Sequence, residues 1–318
     1  MKPQTSLSVF IGVDVASREL VAATFGASAV HTLPNQKAAL STWLGTLPVD
    51  ATIGVESTGG YHELIARLAC ERGLTVYVLN PKDVRHYAQG IGRRGKTDDL
   101  DARVIARYVA KEHAALHPWQ PPTPAQAQLA RLLKRRAKLV VAQGMIRASL
   151  AHLHGLKDER AEVLGAIDKL VTAIERDLKA AVRTLPDGDT RFAQLRSIPG
   201  IGHLSGAALL TLFTRLGFNR VDAAVAYSGF DPRPADSGQK IGRRRLSKRG
   251  PAELRRLLYN AAMAAAKTKV WKPFYERQRA KGLSSTAAFV VLARKLIRVA
   301  FALFKQRVYF DPKRTAPA

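Results

Sequence analysis

Residues 6–26, SLSVFIGVDVASRELVAATFG, decide how the first part of the chain reads. A run rich in β-branched and aromatic residues carries one acid, Asp14, breaks at small and polar residues, and resumes as ELVAATFG. Two apolar runs split by a short polar break predict a strand and its hairpin partner. Working outward, AVHTL at 29–33 predicts a third strand and KAALSTWLGTL at 37–47 a helix. ATIGVEST at 51–58 is an apolar strand running into a turn at Ser57, Thr58, Gly59 and Gly60. Helix YHELIARLACERG, strand LTVYVLN and the helical segments DVRHYAQG and DDLDARVIARYVAKEH follow. Three consecutive strands, then helix, strand, helix and strand, predict an α/β unit with a mixed sheet flanked by helices.

Four acids within that unit attract attention. Asp14 stands among aliphatic residues, where an unpartnered carboxylate carries a heavy desolvation penalty. Glu56 ends the second apolar strand in the same way. Two acids converging at strand ends repel unless a proton or a cation lies between them, and a hard divalent metal with oxygen ligands meets that need. In KTDDLDA, Asp98 and Asp101 are three apart and share a helix face, with Asp99 off it. Taken alone, this segment reads equally well as a Thr97-capped helix start with acids placed for the helix dipole. Beside the strand acids, it completes a four-carboxylate set suited to one or two Mg²⁺ ions, or Mn²⁺, in phosphodiester chemistry.

HPWQPPTP at 117–124 breaks the pattern. From Ala125 to Leu185, apolar residues such as Leu129, Leu132, Leu133, Ile167, Leu170, Val171 and Ile174 recur at three- and four-residue spacing. That predicts two long helices forming a hairpin or coiled coil, a spacer or dimerising arm with Arg131, Lys134, Arg135, Arg136 and Lys138 on a solvated or nucleic-acid-facing side. The third region opens with LRSIPGIGHLSGAALLTLF, which has the look of a helix-hairpin-helix. Gly200 and Gly202 in its turn permit close backbone approach, and amides at the following helix start can hold a phosphate. Two further helices are predicted in PAELRRLLYNAAMAAAKT, with Pro251 in its first turn, and in SSTAAFVVLARKLIRVAFALF. Domain boundaries at 1–116, 125–185 and 190–318 result.

Charge separates these regions. The 318 residues carry a net +26, and Lys plus Arg exceed Asp plus Glu by 20 within residues 191–318 alone. Such a field attracts phosphate backbones and makes binding salt-dependent. Because the same region is rich in Leu, Ala and Val, it is no low-complexity solvating tail. With 47% apolar residues, extensive disorder is excluded. One cysteine, Cys70, leaves neither a disulfide framework nor a cysteine-based zinc site. No signal-peptide pattern opens the chain, and the long apolar run at 285–304 contains Arg294, Lys295 and Arg298, which a bilayer centre disfavours. A nucleic-acid-binding protein of a reducing, cytoplasmic and nucleoid-associated setting is expected, with no membrane partner.

The strand with Asp14, the GVESTGGYHE block, the KTDDLDA block and the later RRRLSKRGPAELRRLL block, in that order, resemble the DEDD-motif transposases of insertion sequences, a group of bridge-RNA-guided recombinases with pilin-gene invertases as relatives. The resemblance implies an RNase H-like, RuvC-type domain, an α-helical coiled-coil linker and a mainly α C-terminal transposase domain. It carries the metal site onto Asp14, Glu56, Asp98 and Asp101. It also implies a nucleophilic serine, which falls on Ser237 in DPRPADSGQKIGRRRLSKRG. Around it stand Lys240, Arg243, Arg244, Arg245, Lys248 and Arg249, cations able to hold a scissile phosphate and stabilise developing charge. Without the resemblance, Ser-Gly in a loop is ordinary turn chemistry. Ser247 reads as a lead-in to a helix and Ser228 as a packed residue. Donor and target DNA, a noncoding bridge RNA and a homo-oligomer, dimer or tetramer, are the implied partners. Two alternatives stand beside this: a RuvC-like junction nuclease using water, and a non-catalytic helix-hairpin-helix DNA-binding protein.

Overall fold

The computed structural model describes residues 9–93, 95, 97–233 and 244–314, and it divides into two compact units, residues 1–121 and 122–318. In the first unit the elements run β1 (Phe10–Val15), β2 (Glu19–Thr24), β3 (Val30–Pro34), α1 (Lys37–Gly45), β4 (Thr52–Glu56), α2 (His62–Glu71), β5 (Thr75–Leu79), α3 (Pro81–Gly90) and α4 (Asp98–Glu112). Each coincides with an apolar run or periodic segment of the sequence. The sheet order is β3-β2-β1-β4-β5. β1 pairs antiparallel with β2 and β2 with β3, whereas β4 lies parallel to β1 and β5 parallel to β4. This mixed sheet with helices on it is compatible with an RNase H-like DEDD domain.

Both faces of the sheet are covered. One carries Ile11, Val13, Val15, Ile53 and Val55, fully or almost fully buried against Leu40, Leu44, Ile65 and Ala69 of α1 and α2. The other is covered by α4, whose Ala102, Val104, Ile105, Ala106 and Val109 are buried. Burial of its three β-branched side chains contributes on the order of 2 kcal/mol each. The Pro-rich segment stays with this unit as far as Trp119, whose backbone N–H donates to the Val76 carbonyl at 2.6 Å and whose indole joins the first core.

In the second unit, α5 (Pro124–Ser149) and α6 (Lys157–Arg183) form an antiparallel hairpin. Arg136 pairs with Glu175 at 2.6 Å and, farther along α5, Gln143 donates to Asp168 at 2.6 Å, so advance along one helix is retreat along the other. Thr123 opens α5 with a reciprocal capping box to Gln126. The base of the hairpin, Leu129, Leu178, Ala181 and Val182, is part of the second core, while Val141, Met145 and Leu170 farther out are exposed.

That core is completed by α7 (Gly188–Arg196), α8 (His203–Arg215), α9 (Val221–Ser228), α10 (Ala252–Ala265), α11 (Lys272–Ala280) and α12 (Ser285–Gln306), with a two-stranded ribbon of β6 (Pro232–Arg233) and β7 (Arg245–Leu246). The apolar run at 285–304 is α12, with Leu292, Ala293, Leu296, Ile297 and Ala300 at the centre of the core. None of the described helices is long and apolar enough to cross a membrane. Pro251 stands one place earlier than expected, as the residue capping α10. α9, α11 and the ribbon lack a periodic signal long enough to be read from the sequence.

Candidate active site

Asp14 and Glu56 end up side by side. β1 and β4 are in parallel register through Gly12 beside Gly54 and Val13 beside Val55, so the next step along each strand sets Asp14 next to Glu56. Alternation puts both acids on the face of Gly12 and Gly54, two residues back. That is the α4 face. A Cβ on Gly12 would lie 2.1 Å from the Ala106 nitrogen and 2.2 Å from the Ala102 oxygen, and one on Gly54 would lie 2.3 Å from Val109 Cγ2. Glycine at these two positions is what lets the helix backbone descend onto the sheet.

The direction of α4 follows from the same contacts. His113, just beyond its C-terminus, lies with its ring 4.9 Å from that of Phe10 at the start of β1, and Ala106 and Ala102 lie over Gly12. The helix therefore runs back along β1, with its N-terminus toward the strand ends that bear the acids. Four residues of helix from Ala102 to Asp98 span about 6 Å, close to the roughly 7 Å of strand from Gly12 to Asp14. Thr97 caps the start, its Oγ1 accepting from the Leu100 N–H at 3.3 Å.

Rotation about the helix axis sorts its three acids. Asp98 continues the stripe of Ala102, Ile105 and Val109 that meets the sheet. Asp101 falls on the flank of Val104, Ile105 and Tyr108, which pack with Tyr77, Leu79 and Val84 on the β5 side, beyond β4 and Glu56. Asp99 falls on the flank of Arg103, whose guanidinium donates to the carbonyls of Ala27, at 2.9 Å, and Ser28, between β2 and β3. Asp14, Glu56 and Asp101 are half-buried, whereas Asp98 and Asp99 are exposed.

Backbone placement thus gathers the four acids at one end of the sheet, and an all-carboxylate donor set suits a hard divalent cation such as Mg²⁺. The side chains are not drawn together to the same degree. Among the described residues, no three acidic, histidine or cysteine side chains are placed to hold one metal ion. Like charges without a cation between them favour separated rotamers.

Asn35 braces this end of the sheet and gives no sequence signal, being one polar residue in a strand-to-helix turn. Its side-chain amide donates to the carbonyls of Ala16 at 3.1 Å and Tyr61 at 3.3 Å. Those residues lie in the segments that follow Asp14 and Glu56, so one side chain ties both exits from the acids. The turn after Glu56 uses Gly59 and Gly60 at positive φ, 59° and 114°.

The second unit holds the other predicted site residues. Ser237, Lys240 and Arg243 lie outside the described residues, in the connection from β6 to β7. Arg244, Arg245, Lys248 and Arg249 lie along β7 and the residues flanking it, and all four are exposed. The turn after β7 is pinned to the end of α9: the Ser247 and Lys248 amides donate to the carbonyls of Asp231 at 2.9 Å and Gly229 at 3.1 Å. Ser247 also gives its hydroxyl to the Asp231 carboxylate, a contact that no sequence spacing discloses. Ser228 is fully buried and donates to the Val225 carbonyl at 2.6 Å, consistent with packing.

The PGIG turn joins α7 to α8. Gly200 has φ +97° and no room for a side chain, because a Cβ would lie 2.5 Å from that of Ala265 on α10. Its glycine is accounted for by packing. Gly202 has open space around it, and its N–H donates to the Ser205 hydroxyl at 3.0 Å. His203 follows, near Arg196 and Lys179; partial desolvation first, then these two cations, hold its imidazolium below the usual pKa despite an opposing pull from Glu175.

Known proteins resemble the chain in both units. Residues 11–152 match a transposase family model named for the DEDD motif of IS110, and residues 193–276 match one described as Transposase IS116/IS110/IS902 family. The pilin gene-inverting protein of Moraxella lacunata is 27% identical over 81% of this chain and 81% of its own length. The transposase for insertion sequence element IS1111A of Coxiella burnetii is 26% identical over 94% of this chain and 90% of its own. The probable family 20 transposase of Pseudomonas aeruginosa is 25% identical over 82% and 86%.

Proposed function

The chain belongs to the IS110/IS116/IS902 family of transposases, and from that premise we propose that it cuts and rejoins DNA through a composite site of Asp14, Glu56, Asp98 and Asp101 with Ser237. The observation that carries this reading is the parallel register that sets Asp14 beside Glu56 under the N-terminus of α4. A divalent ion, Mg²⁺ or Mn²⁺, held by these carboxylates would supply positive charge to the reacting phosphate oxygens.

The Ser237 hydroxyl attacks phosphorus, a serine–phosphate bond forms, and the bond from phosphorus to one deoxyribose oxygen breaks. The hydroxyl proton is lost to a base and the departing sugar oxygen takes one up, so the strand ends as a phosphoserine ester plus a free sugar hydroxyl. Attack by a sugar hydroxyl from another strand reverses these steps and rejoins DNA. Arg244, Arg245, Lys248 and Arg249 hold the phosphate and offset its developing charge. The start of α8, which the open space at Gly202 leaves approachable, contributes backbone donors to the flanking duplex, and the nearby Gly200 turn sets their position. Exchange of two duplexes takes several cuts, which a dimer or tetramer of this chain provides. A noncoding RNA paired to donor and target DNA supplies sequence choice, leaving the protein to read backbone and shape.

Trapping tests the chemistry. The full chain is incubated with nicked DNA of the element ends and Mg²⁺, denatured, and resolved for protein-linked DNA. The wild type is expected to give the adduct, and Ser237→Ala and Asp14→Asn are expected to lose it. An adduct that persists in Ser237→Ala and disappears in Ser247→Ala would move the nucleophile to the serine bonded to Asp231. Strand cleavage by Ser237→Ala without any adduct would establish the water-using nuclease instead.

A further inference from the structure

Residues 308–312, after α12, line together with α11 and α12 a half-open cavity of about 950 Å³ that the proposed chemistry does not use. Two features fix the start of this segment. Arg307 ends α12 in the left-handed conformation, φ 58°, and the Phe310 N–H donates to the Ser197 hydroxyl at 2.9 Å. The cavity is at the upper end of the size range of small-ligand sites, and its lining has two components.

Aromatic rings form one. Trp271, Phe274 and Tyr309 line the space, and Tyr309 is 57% exposed, a large ring left at the mouth. Trp271 is only 2% exposed, and its indole N–H is shielded from water with no hydrogen-bond partner among the described residues.

Cations form the other. Lys269, Arg277 and Lys295 line the same cavity and make no ion pair among the described residues. Arg298 is already engaged with Asp222 at 2.6 Å, and the acid on the lining itself is Asp311. Rings to stack on and an excess of positive charge together select a flat aromatic group carrying a phosphate.

We propose that this cavity receives one unpaired nucleotide of a DNA or RNA strand, its base among the aromatic rings and its phosphate at Lys269, Arg277 and Lys295. The proposal rests on the reading of the chain as a nucleic-acid enzyme and adds to it a site for a base outside a duplex. Stacking on aromatic side chains tolerates any base, so the site senses strandedness and not sequence.

Fluorescence anisotropy with the full chain tests it, using a labelled ten-nucleotide DNA strand, the RNA strand of the same sequence, and the DNA annealed to its complement. Tyr309→Ala is expected to weaken a single strand about tenfold, and Lys295→Ala also to weaken it, with the duplex unaffected by either. The arm that responds, DNA or RNA, identifies the source of the nucleotide. Equal loss for single strand and duplex would reduce the cavity to general basic charge and overturn the proposal, as would no loss in any variant. Efficient competition by free nucleoside monophosphate would overturn it in favour of a free small ligand. A chain that gives the Ser237 adduct yet shows none of these effects sinks this proposal alone, and a responsive cavity in a chain that gives no adduct sinks the serine chemistry alone.

Discussion

Gly12→Ala is the sharpest test of how the acids are assembled. The added methyl would lie 2.1 Å from the Ala106 nitrogen and 2.2 Å from the Ala102 oxygen, against an ordinary contact of 3.4 Å or more, and both atoms are helix backbone. Neither can rotate aside, so α4 must retreat by about 1.3 Å at this point. A gap of roughly 0.5–1 Å already forfeits about a quarter to a half of the dispersion attraction it opens, so this one loses about half or more, and the helix holds Val104, Ile105 and Val109 against the sheet. Overpacking of this kind costs about 1–3 kcal/mol, and contact with rigid backbone puts it near the top, at roughly 3 kcal/mol. The retreat also carries Asp98 and Asp101 away from Asp14 and Glu56, a displacement of the order that lowers activity about a hundredfold.

Urea unfolding followed by tryptophan emission in a Trp271→Phe background reads the first unit, because the two remaining indoles, Trp43 and Trp119, both belong to it. Gly90→Ala is the control: a methyl added to this glycine, the last residue of α3 in the same unit, meets nothing within 4 Å, so the midpoint should hold or rise. An unchanged midpoint in Gly12→Ala would refute the close approach of α4, and with it the placement of the helix acids.

Two further outcomes follow from ionisation. Burial, and secondarily the charge of Glu71, raises the Cys70 thiol pKa, and its sulfur lies 3.7 Å from the Trp119 carbonyl oxygen; thiolate is therefore scarce at neutral pH, and alkylation of the native chain should be far slower than that of the urea-unfolded chain, equal rates showing that Cys70 is open. The lowered pKa of His203 means that the fold favours the neutral ring, so its contribution to stability is present above the ordinary value of about 6.5 and is lost as pH falls below it. Its NMR titration midpoint should lie below that of the unfolded chain and rise when duplex DNA is added; a midpoint that DNA does not move would place no phosphate at the start of α8.

Much of this is legible in the chain because it is local. Alternation and β-branching mark β1 and β4, a 3.6-residue rhythm marks α5, α6, α10 and α12, and a net charge of +20 after residue 190 names a polyanion as partner. An acid in an apolar strand is conspicuous in one dimension, so Asp14 and Glu56 stand out from the sequence alone. What pairs with what is another matter. Nothing in the spacing of Gly12 and Gly54 says that they face one helix, since Gly12 meets Ala102 and Gly54 meets Val109 only when the sheet order and the direction of α4 are fixed. The packing need for glycine at position 200 is disclosed only once the fold puts Ala265 against it. Asn35, the Ser247–Asp231 contact and the cavity beneath the C-terminal tail share that origin. Each joins segments far apart in sequence, and periodicity carries information only about neighbours. The sequence by itself determined the elements, the charge and the kinds of residue available for chemistry; tertiary structure alone decided which of them meet, because side-chain contact depends on long-range packing that no local pattern encodes.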